Sequence, residues 1–387
     1  MFHSADAKEI KAGMVTDAYF PRTLAVLEAL KLDKRVKAEF IAKGLPCGWP
    51  WGVLAGVEEC AELLSGIKVS VRCMKEGTVF KAYQPVMEIE GNYSAFGRYE
   101  TSLLGFLCQA TGVATKAARC KMAAGDRLVM SFGGRRVHPA VAPVVERSAF
   151  IGGCDGVALL KSAQLVGVEA SGTMPHALIL LVGDTLKATR AFNEVLGRKV
   201  KTISLIDTFN DEKFEAVRVA ESMGRALYGV RLDTPASRRG DFLRILEEVR
   251  WELDMRGFKQ VKLYVSGGLD EEDIPRLNPL VDGYGIGTSI SSARVVDFSM
   301  DIVEVDGKPL AKRGKSSGAK RVVRCRKCHG DRVIPCAQKT GCCSCGGSCD
   351  DLLLPFIEQG RLRAKLPSPR QIRGSVLKAL KNYTLAD

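Results

Sequence analysis

Apolar positions along the first part of the chain predict a mixed α+β domain. Apolar residues three and four positions apart predict a helix over residues 21–40. Strict alternation predicts a strand over residues 67–71, and a strand-like segment with a central turn covers residues 79–89. A second helix is predicted over residues 100–118. We therefore expect an N-terminal, β-sandwich-like α+β domain over residues 1–115.

The pattern changes near residue 127 and becomes a regular alternation. Short apolar runs predict strands, and segments such as residues 212–225 and 240–256 predict helices between them. Strands that alternate with helices form parallel sheets. The alternating region spans residues 127–294, whereas a complete eight-unit barrel takes about 250 residues. The expected fold is therefore α/β, with an irregular or incomplete (β/α) barrel over residues 116–300.

Polar residues and glycines follow nearly every predicted strand of this barrel. The predicted strands end near Phe132, Ser171, Asp207, Asp233, Ser266 and Gly287. Because the carboxyl ends of parallel strands meet at one edge, barrel enzymes hold their catalytic groups there. A single polar strand end is often a structural ion pair, but a whole series of them predicts a functional site.

Two glycine loops follow the last two predicted strands. Gly267 and Gly268 form the first loop, and Gly285, Gly287 and Thr288 form the second. Such loops expose backbone N–H groups to one point, which suits a phosphate dianion. Barrel enzymes often bind phosphate with the loops after their last strands. The sequence therefore predicts a phosphate site here.

Charged and aromatic side chains at the other strand ends suit the rest of a phosphorylated sugar and its partner. Five arginines offer bidentate contacts to further phosphate or carboxylate oxygens: Arg135, Arg136, Arg231, Arg238 and Arg239. Asp207 and Asp233 suit ribose hydroxyls or Mg²⁺, and Phe132 offers a flat face to a heteroaromatic ring. This combination predicts transfer at a sugar anomeric carbon, in which the protein orients the reactants and stabilises charge.

The ordered motifs between residues 14 and 295 resemble those of the type II phosphoribosyltransferases, above all nicotinate phosphoribosyltransferase in its shorter archaeal-type form. The matching motifs are Thr16-Asp17-Ala18-Tyr19, Tyr99-Glu100-Thr101, Phe132-Gly133-Gly134-Arg135-Arg136, Gly153-Cys154-Asp155-Gly156, Gly172-Thr173-Met174-Pro175-His176, Ile206-Asp207-Thr208, Val230-Arg231-Leu232-Asp233-Thr234, Ser266-Gly267-Gly268-Leu269-Asp270 and Gly285-Ile286-Gly287-Thr288. The resemblance implies that phosphoribosyl pyrophosphate, with Mg²⁺, transfers its phosphoribosyl group to nicotinate, giving nicotinate mononucleotide and pyrophosphate for NAD biosynthesis. Nicotinamide and quinolinate remain the alternative bases.

The resemblance also implies roles for the residues that would hold the base. Tyr19 from a neighbouring subunit would stack on the pyridine ring, so at least a dimer is implied, and Phe132 would cover the other face. Arg135 would lie beside the nicotinate carboxylate. Asp155 matches a carboxylate that contacts the carboxamide in nicotinamide-using relatives, which leaves the choice between nicotinate and nicotinamide open.

Further implied roles concern the phosphates. Arg231 and Asp233 match ribose and pyrophosphate ligands, and the two glycine loops with Thr288 match the 5′-phosphate cradle. Arg136 and Thr173 stand in the same motifs and are assigned to the substrate as well. His176 matches a histidine that is transiently phosphorylated in ATP-coupled members, so ATP is a candidate additional substrate. Pro175 precedes His176 directly and leaves ATP coupling open.

Seven of the 13 cysteines lie between Cys325 and Cys349 and predict a metal site. Two C-x2-C pairs followed by glycine, Cys325 with Cys328 and Cys342 with Cys345, suit tetrahedral zinc with a structural role. Cys343 could replace Cys342 in a C-x-C arrangement. Residues 301–387 are thus predicted to hold a linker over residues 307–320, this zinc knuckle and a basic helical tail.

The net charge of +13 raises a different class of function. Eight lysines and arginines lie between residues 312 and 327, so the alternative is a nucleic-acid-binding zinc protein. Aromatic residues are not interleaved with this basic run, which makes nucleic acid the weaker hypothesis. No apolar stretch is long enough for a membrane span, and the first residues lack a signal-peptide pattern. We expect a cytoplasmic protein without a membrane partner.

Overall fold

The computed structural model describes residues 2–197, 199–339 and 341–386. These residues form two compact units: Met1–Thr115 together with Arg294–Asp387, and Lys116–Ala293. The predicted boundary near residue 115 coincides with this division. The predicted third domain over residues 301–387 was wrong, because that segment belongs to the same unit as the N-terminal residues.

Regular elements follow one another in short segments. Within the described residues the strands are β1 (Arg35–Ala42), β2 (Gly52–Val53), β3 (Ser70–Cys73), β4 (Val79–Phe80), β5 (Pro85–Asn92), β6 (Leu128–Ser131), β7 (Gly156–Val157), β8 (Ile203–Leu205), β9 (Gly229–Leu232), β10 (Lys262–Ser266), β11 (Gly283–Ile286), β12 (Phe298–Val305), β13 (Lys308–Pro309), β14 (Lys320–Cys325), β15 (Asp331–Pro335), β16 (Cys349–Asp351), β17 (Leu354–Glu358) and β18 (Arg361–Leu362). The α-helices are α1 (Ala7–Lys11), α2 (Tyr19–Ala29), α3 (Val57–Leu64), α4 (Tyr93–Phe96), α5 (Glu100–Ala124), α6 (Ala142–Gly152), α7 (Leu160–Val166), α8 (His176–Val182), α9 (Thr185–Leu196), α10 (Glu212–Met223), α11 (Ala236–Arg239), α12 (Phe242–Met255), α13 (Ile274–Leu277), α14 (Thr288–Ser291) and α15 (Pro369–Leu380). No described helix has both the length and the apolar character needed to cross a bilayer.

The first unit is built on a seven-stranded antiparallel sheet with the order β13-β12-β1-β5-β3-β17-β18. Its apolar face packs with helices α3 and α5 in one core. The sheet therefore packs against helices instead of the second sheet of the predicted sandwich. The helix predicted over residues 21–40 was half wrong: α2 ends at Ala29 and β1 follows. Val36, Ala38 and Phe40 alternate along β1 and all enter the core, so a strand buries them better than a helix would.

C-terminal strands complete this sheet. Strand β12 pairs with β1 along its length, and β17 pairs with β3. The predicted linker over residues 307–320 contains β13, which pairs with β12. The C-terminal region thus supplies four strands of the larger sheet, β12, β13, β17 and β18.

The second unit holds a parallel six-stranded sheet with the order β7-β6-β11-β10-β9-β8. Because β7 and β8 stand at its two edges, the sheet is open between them, as expected for an incomplete barrel. The predicted helices over residues 212–225 and 240–256 correspond to α10 and α12. Asp211 and Asp241 cap these helices by accepting hydrogen bonds from backbone N–H groups of the first turn. A strand ending at Ser171 is not formed, although the Ser171 N–H donates to the Val157 carbonyl at 2.8 Å.

Glycines in β11 let two aromatic rings lie across the sheet. A Cβ atom at Gly283 would lie 2.8 Å from the Tyr264 ring, and one at Gly285 would lie 2.4 Å from the Phe132 ring. Real Cβ atoms do not approach this closely, so both rings occupy space that only glycine leaves. Phe132 is thereby held at the carboxyl end of the strands, where the candidate site lies.

Candidate active site

A cavity of about 600 Å³ opens at the carboxyl ends of the parallel strands. Many predicted site residues line it: Phe132, Arg135, Arg136, Thr173, Arg231, Asp233, Gly267, Gly268, Gly285, Gly287 and Thr288. The motifs that carry them are spread over more than 150 positions of the chain. The fold thus brings most of the predicted site together in one place.

The two glycine loops lie side by side in this cavity. Gly267 and Gly268 have φ angles of 89° and 66°, a conformation that side chains other than glycine rarely adopt. Ser266 and Gly285 are register partners in the neighbouring strands β10 and β11. The Ser289 hydroxyl donates to the Leu269 carbonyl at 2.9 Å and ties the loops together. Their backbone groups can therefore act on one anion.

Phe132 forms one wall of the cavity, and two arginines follow it. Its N–H donates to the Ile286 carbonyl at 2.8 Å, and its ring lies against Gly285. Arg135 and Arg136 belong to the 3-10 turn Gly134–Arg136 directly after it. This arrangement places a flat apolar surface beside two cationic groups, which suits an aromatic acid.

Arg231 is a mostly buried cation on β9. Its Nη1 donates to the Thr173 hydroxyl at 2.5 Å. Burial lowers the pKa of Arg231, and the carboxylates of Asp233 and Asp207 oppose this effect. Its Nε atom is buried and has no hydrogen-bond partner among the described residues. An arginine keeps its charge in proteins, so this guanidinium is preorganised for an anion.

Two carboxylates and a histidine stand beside Arg231. The Asp207 side chain is 2% exposed, and its Oδ2 accepts from the Asp233 N–H at 3.2 Å. Asp233 accepts from the Ser266 hydroxyl at 2.7 Å. The His176 Nε2 lies 3.7 Å from Asp233 and 3.9 Å from Asp207, and its Nδ1 lies 3.0 Å from the Thr208 hydroxyl. Asp207 and His176 thus flank the cavity without lining it.

The environment of Asp207 suits a bound cation. Burial raises the pKa of Asp207, and the nearby His176 ring opposes that shift. The Asp207 Oδ1 atom has no hydrogen-bond partner among the described residues. A buried, unpartnered carboxylate oxygen beside a second carboxylate fits the oxygen ligands that Mg²⁺ prefers. Asp207 and Asp233 are therefore the residues that would hold Mg²⁺ or a ribose hydroxyl.

Two predicted site residues lie elsewhere. Asp155 precedes β7, and its carboxylate accepts from the Val129 N–H at 2.8 Å and pairs with Lys121 at 3.0 Å. Val129 lies at the beginning of β6, so Asp155 is at the amino end of the strands, and the predicted contact between Asp155 and the base does not fit. Tyr19 begins α2 in the other unit and is 57% exposed.

Near Tyr19, the structure brings together two motifs that are far apart in the sequence. The Thr101 hydroxyl donates to the Asp17 carboxylate at 2.7 Å and accepts from the Asp17 N–H at 3.1 Å. Glu100, beside Thr101, has its pKa raised to about 7 by burial and by the nearby charge of Asp301. By the resemblance, Tyr19 would act on a base bound by a neighbouring subunit.

Sequence reasoning assigned no role to three residues of the site. Ser266 hydrogen-bonds Asp233, Thr208 hydrogen-bonds the His176 ring, and Asp270 lines the cavity beside the glycine loop. Each stands within a motif that was recognised for a neighbouring residue. Position within the motif was the available signal, but only coordinates show which partner each side chain reaches.

Four cysteines of the C-terminal region cluster around one point: Cys325, Cys328, Cys343 and Cys345, with sulfur atoms within 4.8 Å of one another. The sulfur–sulfur distances are 3.4 Å for Cys325–Cys345 and 3.6 Å for Cys328–Cys343. Zinc–thiolate bonds of about 2.3 Å in a tetrahedron separate the sulfurs by about 3.8 Å, so the cluster has the size of a zinc site. Backbone N–H groups of Lys327 and Cys328 point at the Cys325 sulfur.

The prediction that Cys342 is one of the four clustered cysteines was wrong. Cys342 is exposed, and Cys343 takes its place in the cluster, which is the C-x-C alternative. A turn explains this choice: the Cys343 N–H donates to the Gly347 carbonyl at 2.9 Å, and the Gly346 N–H donates to the Cys343 carbonyl at 2.8 Å. This turn brings Cys343 and Cys345 to the same side.

The basic run over residues 312–327 is largely neutralised within the protein. Six of its cations pair with carboxylates: Lys312 and Lys315 with Asp301, Lys320 with Glu39, Arg321 with Asp351, Arg324 with Asp331 and Arg326 with Asp350. Asp301 and Glu39 are buried, so these lysines serve the sheet. Because these cations are paired with carboxylates, the run contributes little net positive charge for binding the phosphates of a nucleic acid.

Comparisons with known proteins agree with this geometry. A model described as the quinolinate phosphoribosyl transferase N-terminal domain matches residues 17–111, and its C-terminal counterpart matches residues 113–301. The chain is 31% identical to a nicotinate phosphoribosyltransferase of Mycobacterium tuberculosis, over 78% of this chain and 75% of the relative. It is 30% identical to a nicotinate phosphoribosyltransferase of Bacillus subtilis, over 64% of this chain and 52% of the relative.

Solved structures show the same fold. The crystal structure of a nicotinate-nucleotide pyrophosphorylase from Pyrococcus furiosus is 53% identical, with a TM-score of 0.97 and 98% of each chain covered. Human nicotinic acid phosphoribosyltransferase shares the fold at 18% identity, with a TM-score of 0.76 over 96% of this chain and 94% of the human one. The chain belongs to the phosphoribosyltransferase family that the quinolinate phosphoribosyl transferase domain models describe and that includes the nicotinate phosphoribosyltransferases.

Proposed function

We propose that the protein transfers the phosphoribosyl group of phosphoribosyl pyrophosphate to nicotinate, giving nicotinate mononucleotide and pyrophosphate for NAD biosynthesis. One observation carries the proposal: positive-φ glycines, the partly buried Arg231 and Asp233 line one cavity at the strand ends, and the Asp207 carboxylate lies beside it. The mutual 98% coverage with the Pyrococcus furiosus chain supports assignment to the shorter archaeal-type form.

The charged groups of the cavity suggest one orientation for phosphoribosyl pyrophosphate. Its 5′-phosphate lies on the N–H groups around Gly268 and Gly287, because the strand-end loops offer the anion site. Asp233, with Asp207 beside it, would hold the ribose hydroxyls and Mg²⁺, and the ion would supply positive charge for the leaving pyrophosphate. Arg231 faces the leaving pyrophosphate, and the base lies on Phe132 with its carboxylate toward Arg135.

The protein accelerates this reaction through position and charge. As the bond from the anomeric carbon to pyrophosphate lengthens, positive charge develops on the ribose and negative charge on the leaving group. The carboxylates of Asp233 and Asp207 stabilise the first, and Arg231 stabilises the second. Phe132 and Arg135 hold the pyridine nitrogen in line with the anomeric carbon, so the new bond forms without a search for orientation.

The charge of the cavity favours a base with one carboxylate. Its described lining includes three cations, Arg135, Arg136 and Arg231, and two carboxylates, Asp233 and Asp270. Phosphoribosyl pyrophosphate already carries several negative charges, so a dicarboxylate would add more charge than this lining compensates. Nicotinate adds a single negative charge.

Quinolinate is the second candidate, because the matching domain models carry its name. Quinolinate has a second carboxyl group at the ring carbon next to the nitrogen. To give the same mononucleotide, that group must leave as CO₂ after the new bond forms. Release of CO₂ therefore distinguishes the two reactions.

One assay separates the candidate bases. The protein is incubated with phosphoribosyl pyrophosphate, Mg²⁺ and equal amounts of nicotinate, nicotinamide and quinolinate, and products are identified by mass spectrometry. We expect nicotinate mononucleotide and pyrophosphate, without CO₂. Replacing Arg231 with Met should abolish product while thermal stability stays nearly unchanged. Product from quinolinate or nicotinamide alone would refute the assignment, and the same assay with and without ATP tests coupling through His176.

Three further expectations belong to this proposal. The four clustered cysteines hold a structural zinc ion, which metal analysis of the purified protein tests. Tyr19 of a second copy completes the base site, so the protein is at least a homodimer in solution, which light scattering tests. We expect the reaction to take place in the cytoplasm, and fractionation of cells tests that location.

A further inference from the structure

A buried network of ion pairs stands directly behind the phosphate loop. The Lys116 ammonium, on α5, contacts the carboxylates of both Asp270 and Glu271. The Arg119 Nε donates to the other oxygen of Glu271 at 3.1 Å. The side chains of Lys116, Arg119 and Glu271 are only 12%, 11% and 8% exposed. Charges removed from water in this way are costly unless they are paired, so the network is a specific arrangement.

Asp270 connects this network with the cavity. It lines the cavity beside Gly267 and Gly268, and its side chain is 42% exposed. A carboxylate at this place would repel the phosphate that the neighbouring N–H groups attract. Lys116 forms an ion pair with the same carboxylate and compensates its charge. Both described carboxylates that line the cavity lie beside the glycine loop. Asp233 lies against Gly267 and accepts from the Ser266 hydroxyl, whereas Asp270 follows the loop and has Lys116 as its own cation.

The same contacts fix the shape of the loop. Ser266 is held by its hydrogen bond to Asp233 at the beginning of the loop. At the end, the Asp270 N–H donates to the Asp273 carboxylate at 2.9 Å, and Asp270 and Glu271 are both held by Lys116. The two positive-φ glycines lie between these anchors, where other residues would be strained. Loss of the second anchor would free the glycines to leave that conformation.

A metal ion is a poor alternative for this cluster. The Cys120 sulfur and carboxylate oxygens of Asp270 and Glu271 lie within 4.8 Å of one another. Lys116 contacts both carboxylates, and burial raises the pKa of the Cys120 thiol. A protonated thiol is a poor metal ligand, and both carboxylates are already paired with the Lys116 ammonium group. The three groups would therefore bind a metal ion weakly. The geometry favours a charge-compensating lysine.

We infer that Lys116 is a positioning residue for the phosphate end of the substrate, which compensates the Asp270 carboxylate and holds the glycine loop in its binding conformation. This inference rests on the proposed function only in taking the anion to be a sugar phosphate. Phosphate binding itself can be measured without turnover, so the inference and the proposed reaction can fail separately.

The test measures affinity for ribose 5-phosphate and for inorganic phosphate by calorimetry on the full chain. Lys116→Met should weaken both at least tenfold, because Asp270 is then uncompensated. Lys116→Arg should stay within about threefold of wild type. Asp270→Asn in the Lys116→Met background should recover most of the loss, which a purely structural role of Lys116 would not allow.

Two more variants keep the test decisive if Lys116→Met does not fold. Asp270→Asn alone should change phosphate affinity less than threefold, since its charge is already compensated. Arg119→Met removes a cation that contacts Glu271, which does not line the cavity. It should lower the melting temperature and leave phosphate affinity unchanged.

Steady-state kinetics supply a second readout. Lys116→Met should raise KM for phosphoribosyl pyrophosphate at least tenfold and leave kcat within about threefold. Wild-type affinity in Lys116→Met, no recovery in the double variant, or a tenfold tighter affinity in Asp270→Asn alone would each overturn the inference. If the wild type showed no phosphoribosyl transfer while all the phosphate affinities were as expected, only the proposed reaction would be overturned.

Discussion

Replacing Gly285 with Ala should damage the base site without removing any chemical group from it. The added Cβ would lie 2.4 Å from two atoms of the Phe132 ring and 3.2 Å from the Ser266 Cβ. Carbon atoms pack best at about 3.5–4.0 Å, so the ring has to move by about 1 Å. The Phe132 backbone is held by its hydrogen bond to Ile286. The Phe132 ring, which faces the base, therefore has to move while its backbone stays in place.

The expected magnitude follows from this displacement. Overpacking of this kind costs about 1–3 kcal/mol of stability. A reactant misplaced by about 1 Å loses about 100-fold in rate, so kcat/KM for nicotinate should fall by about that factor. The KM for phosphoribosyl pyrophosphate should change less, because the added methyl group acts on the base side of the cavity.

Gly283→Ala is the matched control. Its added Cβ would lie 2.8 Å from the Tyr264 ring, two residues earlier on the same strand and outside the cavity lining. The two variants should lose similar stability, measured by thermal unfolding, but only Gly285→Ala should lose activity. Equal activity losses in both variants, or full activity in Gly285→Ala, would refute the assignment of Phe132 to the base.

Three other predictions test separate parts of the structure. The raised pKa of Glu100, about 7, means that the folded state binds this proton more tightly than the unfolded chain, so stability falls as pH rises from about 4.5 to about 7. Glu100→Gln should therefore unfold at a higher temperature than the wild type at pH 8 and at the same temperature as the wild type at pH 4.5; a pH-independent difference would contradict the shift. Cys343→Ser should lose bound zinc and thermal stability, measured by metal analysis and unfolding, while Cys342→Ser should keep both; the reverse result would restore the C-x2-C ligand set. Asp155→Asn should lower the melting temperature through the lost pair with Lys121 and leave KM for nicotinate unchanged, and a raised KM would return Asp155 to the base site.

The barrel and its site were predictable because their signals are local. Apolar runs ending in Gly or Asp mark the ends of β8 to β11. The residues that follow β9, β10 and β11 do meet in the cavity, and Asp207, which follows β8, lies beside it. The glycine loop at 267 and 268 needs positive φ angles, which its composition already indicates. These parts could be predicted because each strand end carries its own chemistry.

Other features depend on contacts that are distant in sequence. The pairing of β12 with β1 joins residues about 260 positions apart and makes the C-terminal region part of the first unit. Strand β7 has only two residues, too short for a pattern, so the strand end was expected at Ser171. The C-x2-C spacing fits Cys342 as well as Cys343, and only the turn at Gly346 decides between them. Asp155 matched a family motif, but a motif does not show at which end of a strand a side chain lies.

A crystal structure of the protein with phosphoribosyl pyrophosphate and Mg²⁺ tests the central claim most directly. We predict the 5′-phosphate within hydrogen-bond distance of the Gly268 and Gly287 N–H groups, the pyrophosphate beside Arg231, and the ribose hydroxyls beside Asp233. A substrate bound outside this cavity, or one whose pyrophosphate occupies the glycine loops in place of the 5′-phosphate, would contradict the account.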